Sequence, residues 1–186
     1  MHPAFDTVKL RTERLLLRPM RPSDADDLFA VFSDPEVMRY WSTPPWTSRE
    51  QAEQLIARDL QTLASGEHLR LGLIRKADER LIGNCSLFNF MPQCRRAEIG
   101  YGLASNAWGQ GLMHEALSAL LHFAFDTLQL HRLEADIDPR NAASAKALTR
   151  LGFEQEGLLR ERWIVDDEVS DSALYGLLRR DWRARR

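Results

Sequence analysis

The chain has 186 residues, 44% hydrophobic and 28% charged, which suits one ordinary globular domain with a sizeable core. A formal charge of -2 predicts no general attraction to nucleic acid. No apolar run approaches the roughly 20 residues that span a bilayer, and Met1 to Asp6 lack the charged and apolar pattern of an export signal, so a soluble cytoplasmic protein is expected.

Leu15 to Arg18 reads as an opening strand, followed by a helix that Ser23 can cap, with Ala25, Leu28, Phe29 and Phe32 on one face and Pro35 as its limit. Met38 to Trp46 is rich in aromatics and proline. Ser48 and Gln51 then match a capping box, and Ala52, Leu55, Ile56, Leu60 and Leu63 form an apolar stripe that stops at Gly66. Leu69 to Arg75 and Leu81 to Phe90 read as antiparallel strands, with a third from about Ala97 to Leu103. Alternation places Ala97, Ile99, Tyr101 and Leu103 on one face of the third strand and Glu98, Gly100 and Gly102 on the other. One face thus has an acid and no bulk, which predicts a close approach by backbone or ligand.

Trp108-Gly-Gln-Gly-Leu-Met-His114 is a glycine-bearing turn at the start of a helix. Glycines let backbone N–H groups face outward, and the free donors of the helix start favour an anion, such as a phosphorylated cofactor. The helix carries Met113, Ala116, Leu117, Leu120, Leu121, Ala124 and Leu128 at helical spacing, and Leu133, Ala135 and Ile137 form the next strand. Strand, helix, strand implies a right-handed crossover to a parallel neighbour, with the helix start near the carboxyl ends of both strands. Asn141 caps a shorter helix that ends at Leu151, Gly152 and Phe153. Phe153 to Val165 and Val169 to Leu178 flank Asp166-Asp167-Glu168 as a closing hairpin, giving one mixed α/β domain over residues 1–186.

Cys85 and Cys94 have no histidine at zinc-like spacing and read as reduced packing residues, with no metal site. His114 and His122, eight residues apart on one helix, are too far apart to share a metal and read as exposed packing residues. Arg179, Arg180, Arg183, Arg185 and Arg186 read as a solvated, dipole-favoured end, with an acidic partner such as RNA as the alternative.

The element order, with Glu98-Ile-Gly-Tyr101, Trp108-Gly-Gln-Gly-Leu-Met113, Asn141-Ala-Ala-Ser144 and Leu151-Gly-Phe153, resembles the GNAT superfamily of acetyl-CoA-dependent N-acetyltransferases. Thr12-Glu13-Arg14-Leu15 and Asp171 also match the branch that acetylates ribosomal-protein N-termini, so the resemblance covers nearly the whole chain. It implies a central, mostly antiparallel sheet with one parallel, splayed strand pair and helices on both faces. It also implies acetyl-CoA as donor, bound by the turn Trp108, Gly109, Gln110, Gly111, Leu112, Met113 and His114, with the N–H groups of Gln110 to His114 on the diphosphate, and by Tyr101, Gly102 and Leu103 along the pantetheine arm. An N–H near Leu103 would donate to the thioester oxygen.

The superfamily turn usually reads Gln or Arg, two variable residues, Gly, one variable residue, then Gly or Ala; those positions are Trp108, Gly111 and Met113 here. The tyrosine that many members use as proton donor falls at Leu148, so the resemblance shifts that role to Ser144, with Asn141 fixing the pantetheine arm. The branch's glutamate falls at Trp163. Glu98 is the preferred base, acting through a water, with Glu161, two residues before Trp163 and so on its strand face, and Asp136 as alternatives. Tyr40, Trp41, Trp46 and Phe88 are the candidates to line an acceptor pocket.

An α-amine, with a pKa of about 7.7 to 8, is appreciably neutral near pH 7, whereas lysine at about 10.4 is not. A site without a strong base therefore fits a protein N-terminus better than a lysine. The alternatives are acetylation of a small amine (a polyamine, amino acid or antibiotic), or a catalytically silent acyl-CoA-binding domain. A dinucleotide oxidoreductase fits poorly, because the turn follows a late strand and lacks the third glycine. The sequence leaves monomer and homodimer both open.

Overall fold

The computed structural model describes residues 4–185; Met1, His2, Pro3 and Arg186, used above to read the two ends, lie outside the described residues. Two short strands, β1 (Leu10–Arg11) and β2 (Leu15–Arg18), precede helices α1 (Ala25–Phe32), α2 (Pro35–Met38) and α3 (Arg49–Ser65). A meander follows, made of β3 (Leu69–Arg75), β4 (Leu81–Met91) and β5 (Arg96–Leu103). Helix α4 (Leu112–His122) crosses to β6 (Arg132–Ile137), and α5 (Ala142–Leu151) leads into the hairpin of β7 (Glu154–Val165) and β8 (Glu168–Leu178), with α6 (Arg179–Ala184) last.

The strands form one sheet in the order β1-β2-β3-β4-β5-β6-β8-β7. Every neighbouring pair is antiparallel except β5 and β6, so the crossover through α4 gives the expected parallel pair in a mostly antiparallel sheet.

Strand alternation divides the apolar residues between two cores. Leu15 and Leu17 join the larger one beneath α4 and α5, whereas Leu16 packs against the smaller one beneath α1, α2 and α3. In α4 the periodic residues Ala116, Leu117, Leu120 and Leu121 are fully buried, each leucine contributing about 1.5–3 kcal/mol relative to exposure. The helix widens into a single π turn over Phe123–Thr127, which keeps Ala124 and Phe125 in the core. No helix among the described residues is long and apolar enough to cross a membrane.

Several local expectations are corrected. Ser23 does not cap α1; it lies in a 3-10 turn, Pro22–Asp24, and α1 begins after Asp24. The Asp24 carboxylate is instead taken by the Arg18 guanidinium at 2.7 and 2.9 Å and by the Arg21 amide at 2.7 Å. Pro35 limits α1 as read, yet it opens α2 at a position where proline loses no helical hydrogen bond, with Asp34 accepting from the Glu36 amide. On α3, Leu60 is 45% exposed while Asp59 is buried against Arg70, so an ion pair occupies part of the expected stripe. Cys85 is buried as expected, but Cys94 is exposed in the turn before β5.

Candidate active site

Strands β5 and β6 pair only at Arg96–Arg132, Ala97–Leu133 and Glu98–Glu134. Beyond those positions β5 stays zipped to β4 as far as Leu103, and β6 to β8 as far as Ile137. From Ile99 and Ala135 onward the two central strands therefore part, and each presents an edge to the gap. The face without bulk on β5 is covered by aromatics: a Cβ on Gly102 would lie 2.9 Å from Trp41 and 3.3 Å from Phe32, and one on Gly100 would lie 3.2 Å from Phe88. Trp41 itself stands edge-on to Phe32, with ring centroids 5.0 Å apart.

The glycine turn sits at the open end of this gap. Gly109 and Gly111 have φ of +73° and +74°, a left-handed conformation that other residues adopt only at a cost, and a Cβ on Gly109 would meet nothing within 4 Å. Backbone conformation, not crowding, thus requires glycine here. The Arg14 guanidinium donates to the Gln110 carbonyl at 2.9 Å and to Glu115 at 2.7 Å, and the Arg14 amide donates to Glu115 at 2.8 Å. Burial works against ionisation of Glu115, but the Thr12 hydroxyl and these Arg14 donors hold its carboxyl below the usual range. The Thr12-Glu13-Arg14 segment thereby holds the turn's carbonyl side.

On the opposite side, no amide from Gly109 to His114 is given to a protein acceptor among the described residues, and α4 begins at Leu112. Successive free donors at a helix start suit an anion. The Trp108 indole N–H donates to the Leu103 carbonyl at 2.8 Å, tying the turn to the end of β5.

Two cavities meet at the splay, and both are lined by Arg39, Tyr40, Trp41, Tyr101, Asn141 and Ser144. One, of about 540 Å³, runs along Gly102, Leu103 and the glycine turn to α5. The other, of about 560 Å³, lies toward Phe88, Glu98, Asp136 and the β7–β8 hairpin. Their charges are opposite. The turn-side cavity carries Glu36 against Arg39, Lys146 and Arg150, whereas the hairpin-side cavity carries Glu98, Asp136, Asp138, Asp166 and Glu168 against Arg39, Arg140 and Arg162.

At the junction, the Asn141 side-chain oxygen accepts the Ser144 amide at 3.0 Å, so it caps α5 and leaves its NH2 to donate. The Ser144 hydroxyl lines both cavities and is hydrogen-bonded to the Tyr101 phenol. Tyr101 approaches the Ser144 carbonyl at 3.5 Å, and burial pushes its phenol up to about 12.

Arg140 organises the hairpin side. It pairs with Asp138 and Glu168 at 2.6 and 2.5 Å and lies 5.8 Å from the Tyr40 ring, whose other cation neighbour is Arg39 at 5.3 Å. Its hydrogen bond holds the Asp138 carboxyl below the usual range despite desolvation. Ser105 donates to Asp34 at 2.6 Å and lowers its pKa, linking the aromatic segment to the turn.

Behind the cavity wall, His68 stacks on Phe88 with centroids 5.8 Å apart, and its Nε2 is buried without a partner among the described residues. Burial, assisted by Arg70, lowers its pKa from 6.5 to about 4. The unfolded chain then binds the extra proton between these values, so stability present above pH 6.5 is lost as pH falls toward about 4. Thermal melts should show wild type losing Tm between pH 6.5 and 5, and His68→Phe flattening that slope.

The site brings together most of the residues singled out from the sequence. Tyr40, Trp41, Phe88 and Glu98 line the hairpin-side cavity; Tyr101, Gly102, Leu103, Trp108, Gly109, Gly111, Leu112, Met113 and His114 line the turn-side one. Gln110 contributes backbone, its side chain donating to the Asn106 carbonyl at 3.1 Å. Trp46 packs 5.0 Å from Phe32 and joins the smaller core, away from both linings.

Glu161 also differs from its expected place. The β7–β8 register breaks between Leu159 and Trp163, Glu161 has φ +52°, and its amide is donated to Asp171 at 2.8 Å. This bulge cancels the alternation that had put Glu161 on the face of Trp163, and only Trp163 lines the cavity. The Trp163 indole is fixed by the Ser172 hydroxyl at 3.0 Å, and Asp136 faces Arg162 at 3.5 Å. Sequence reading gave no role to Arg14, Arg140, Lys146 or Arg150, although Lys146 and Arg150 lie one helical turn apart.

The chain is similar over nearly its whole length to known N-acetyltransferases. The N-acetyltransferase p20 of Bacillus licheniformis, itself uncharacterized, is 40% identical over 174 residues, spanning 93% of this chain and 97% of that one. The [ribosomal protein uS5]-alanine N-acetyltransferase of Escherichia coli is 28% identical over 183 residues, covering 94% and 93% of the two chains. Mycobacterium smegmatis RimJ, solved in complex with CoA-disulfide, superposes with a TM-score of 0.82 at 26% identity, covering 96% of this chain and 90% of that one. The family model of the acetyltransferase (GNAT) domain matches residues 14–154, and in keeping with the parted parallel strands the chain belongs to the GNAT family of N-acetyltransferases.

Proposed function

We propose that the chain transfers acetyl from acetyl-CoA to a protein N-terminal α-amine by direct attack of that amine. The meeting of two oppositely charged cavities at Ser144 and Tyr101 carries this reading: the basic one suits a polyanionic donor, the acidic one an ammonium acceptor. The six free amides fit a diphosphate, and acetyl-CoA, when bound, supplies the acetyl group and a thiolate leaving group.

Glu98 takes the acceptor's proton through a water in the acidic cavity. An amide on the open edge of β5 near Leu103 steadies the thioester oxygen, and Asn141 holds the pantetheine arm. Ser144 donates to the departing sulfur. The branch named by the Escherichia coli relative favours a protein N-terminus, made in the cytoplasm, over a small amine.

Thiol release with acetyl-CoA over a panel of acceptors tests this. Peptides with a free N-terminus should turn over and saturate, and blocking the α-amine should abolish turnover even when lysine is present. Saturation by a polyamine, amino acid or antibiotic with no peptide turnover would replace the acceptor class; cofactor binding with no turnover at all would make the chain a silent acyl-CoA-binding domain.

A further inference from the structure

We infer that Lys146 and Arg150 seat a third phosphate, the 3′-phosphomonoester on the ribose of CoA, and so make the protein distinguish CoA from its 3′-dephosphorylated form; this rests on the acetyl-CoA reading above. Ala143, Lys146, Ala147 and Arg150 lie on one face of α5 and line the turn-side cavity beside Met113 and His114. The two alanines keep that face low. The two cations flank it.

Neither cation pairs with a carboxylate among the described residues, whereas Arg14, Arg70, Arg132 and Arg140 all do. Like charges four residues apart destabilise a helix unless something between them compensates. Arg150, in the last turn, is favoured by the helix dipole, but Lys146 lies mid-helix and has no such support. An anion lying across both would remove the repulsion.

The diphosphate is already provided for by the amides of Gly109 to His114, at the other side of the cavity. A phosphomonoester carries about -1.5 to -2 charge near neutral pH and is best matched by full cations, a lysine as a point charge and an arginine as a fork. The turn offers amides. Helix α5 offers the charges.

Titration calorimetry with CoA and with 3′-dephospho-CoA, at one ionic strength, tests the assignment on wild type and on the exposed double variant Lys146→Gln/Arg150→Gln. Wild type should prefer CoA by about tenfold or more, and the variant's preference should fall to within about twofold. Circular dichroism checks that the variant is folded. Equal binding of both forms by wild type would overturn the inference while leaving the acetyl-CoA reading intact. So would a variant that weakens for both forms equally and keeps its preference, since the cations would then read the diphosphate. Failure of wild type to bind either form would overturn both.

Discussion

Replacing Ser144 with alanine is expected to lower turnover by about 100-fold while changing the affinity for acetyl-CoA by less than about threefold. The hydroxyl lies where both cavities meet, so its loss removes a donor there together with its contact to the Tyr101 phenol. Asn141 accepts from the Ser144 main chain, so the cap of α5 survives the substitution. A thiolate whose acid has a pKa of about 8.5 leaves poorly without a proton or hydrogen bond, and the typical weight of a positioned acid, about 10²-fold, is about 2.7 kcal/mol of barrier. Steady-state kinetics with calorimetry checks both halves. Tyr101 is the rival donor, because its hydroxyl is 3.5 Å from the Ser144 carbonyl. Unchanged turnover in Ser144→Ala with a collapse in Tyr101→Phe would transfer the role to the phenol.

The largest expected loss of stability comes from Asp24→Ala. Arg18 and Asp24 are each 8% exposed and share two hydrogen bonds, and Asp24 also accepts the Arg21 amide. Truncating the carboxylate leaves a buried guanidinium without its counter-charge, at a cost of about 3–5 kcal/mol. For a domain of this size that lowers Tm by about 10 °C. Removing both charges, as in Arg18→Met with Asp24→Leu, should recover much of the loss, because the desolvation cost of the pair disappears with it. A Tm within about 2 °C of wild type for Asp24→Ala would show that water reaches the guanidinium.

Legibility from sequence tracked the range of the interactions. The 3.6-residue stripe of α4, the two-residue alternation of β5 and the glycines of the turn are local patterns, and the elements they imply are present. Misreadings arose where a partner on a neighbouring element, 6 to 11 residues away in the chain, overruled a rule read within one element. Asp24, paired with Arg18, stands at the N-cap position expected of Ser23; Asp59 is buried against Arg70 of β3; Glu161 is turned by a bulge whose amide Asp171 of the partner strand accepts.

The sequence alone determined the longer strands and helices in their order, though not β1, α2 or α6, together with the glycine turn at a helix start and the asparagine and serine that open α5, because each depends on residues within a turn or two of one another. Only the tertiary structure decided where β5 and β6 part, that Arg14 holds the turn from 96 residues away, and that an acidic and a basic cavity meet at Ser144. Those features are sums over segments distant in the chain, and Coulomb forces and close packing act on distance in space, which no local pattern records.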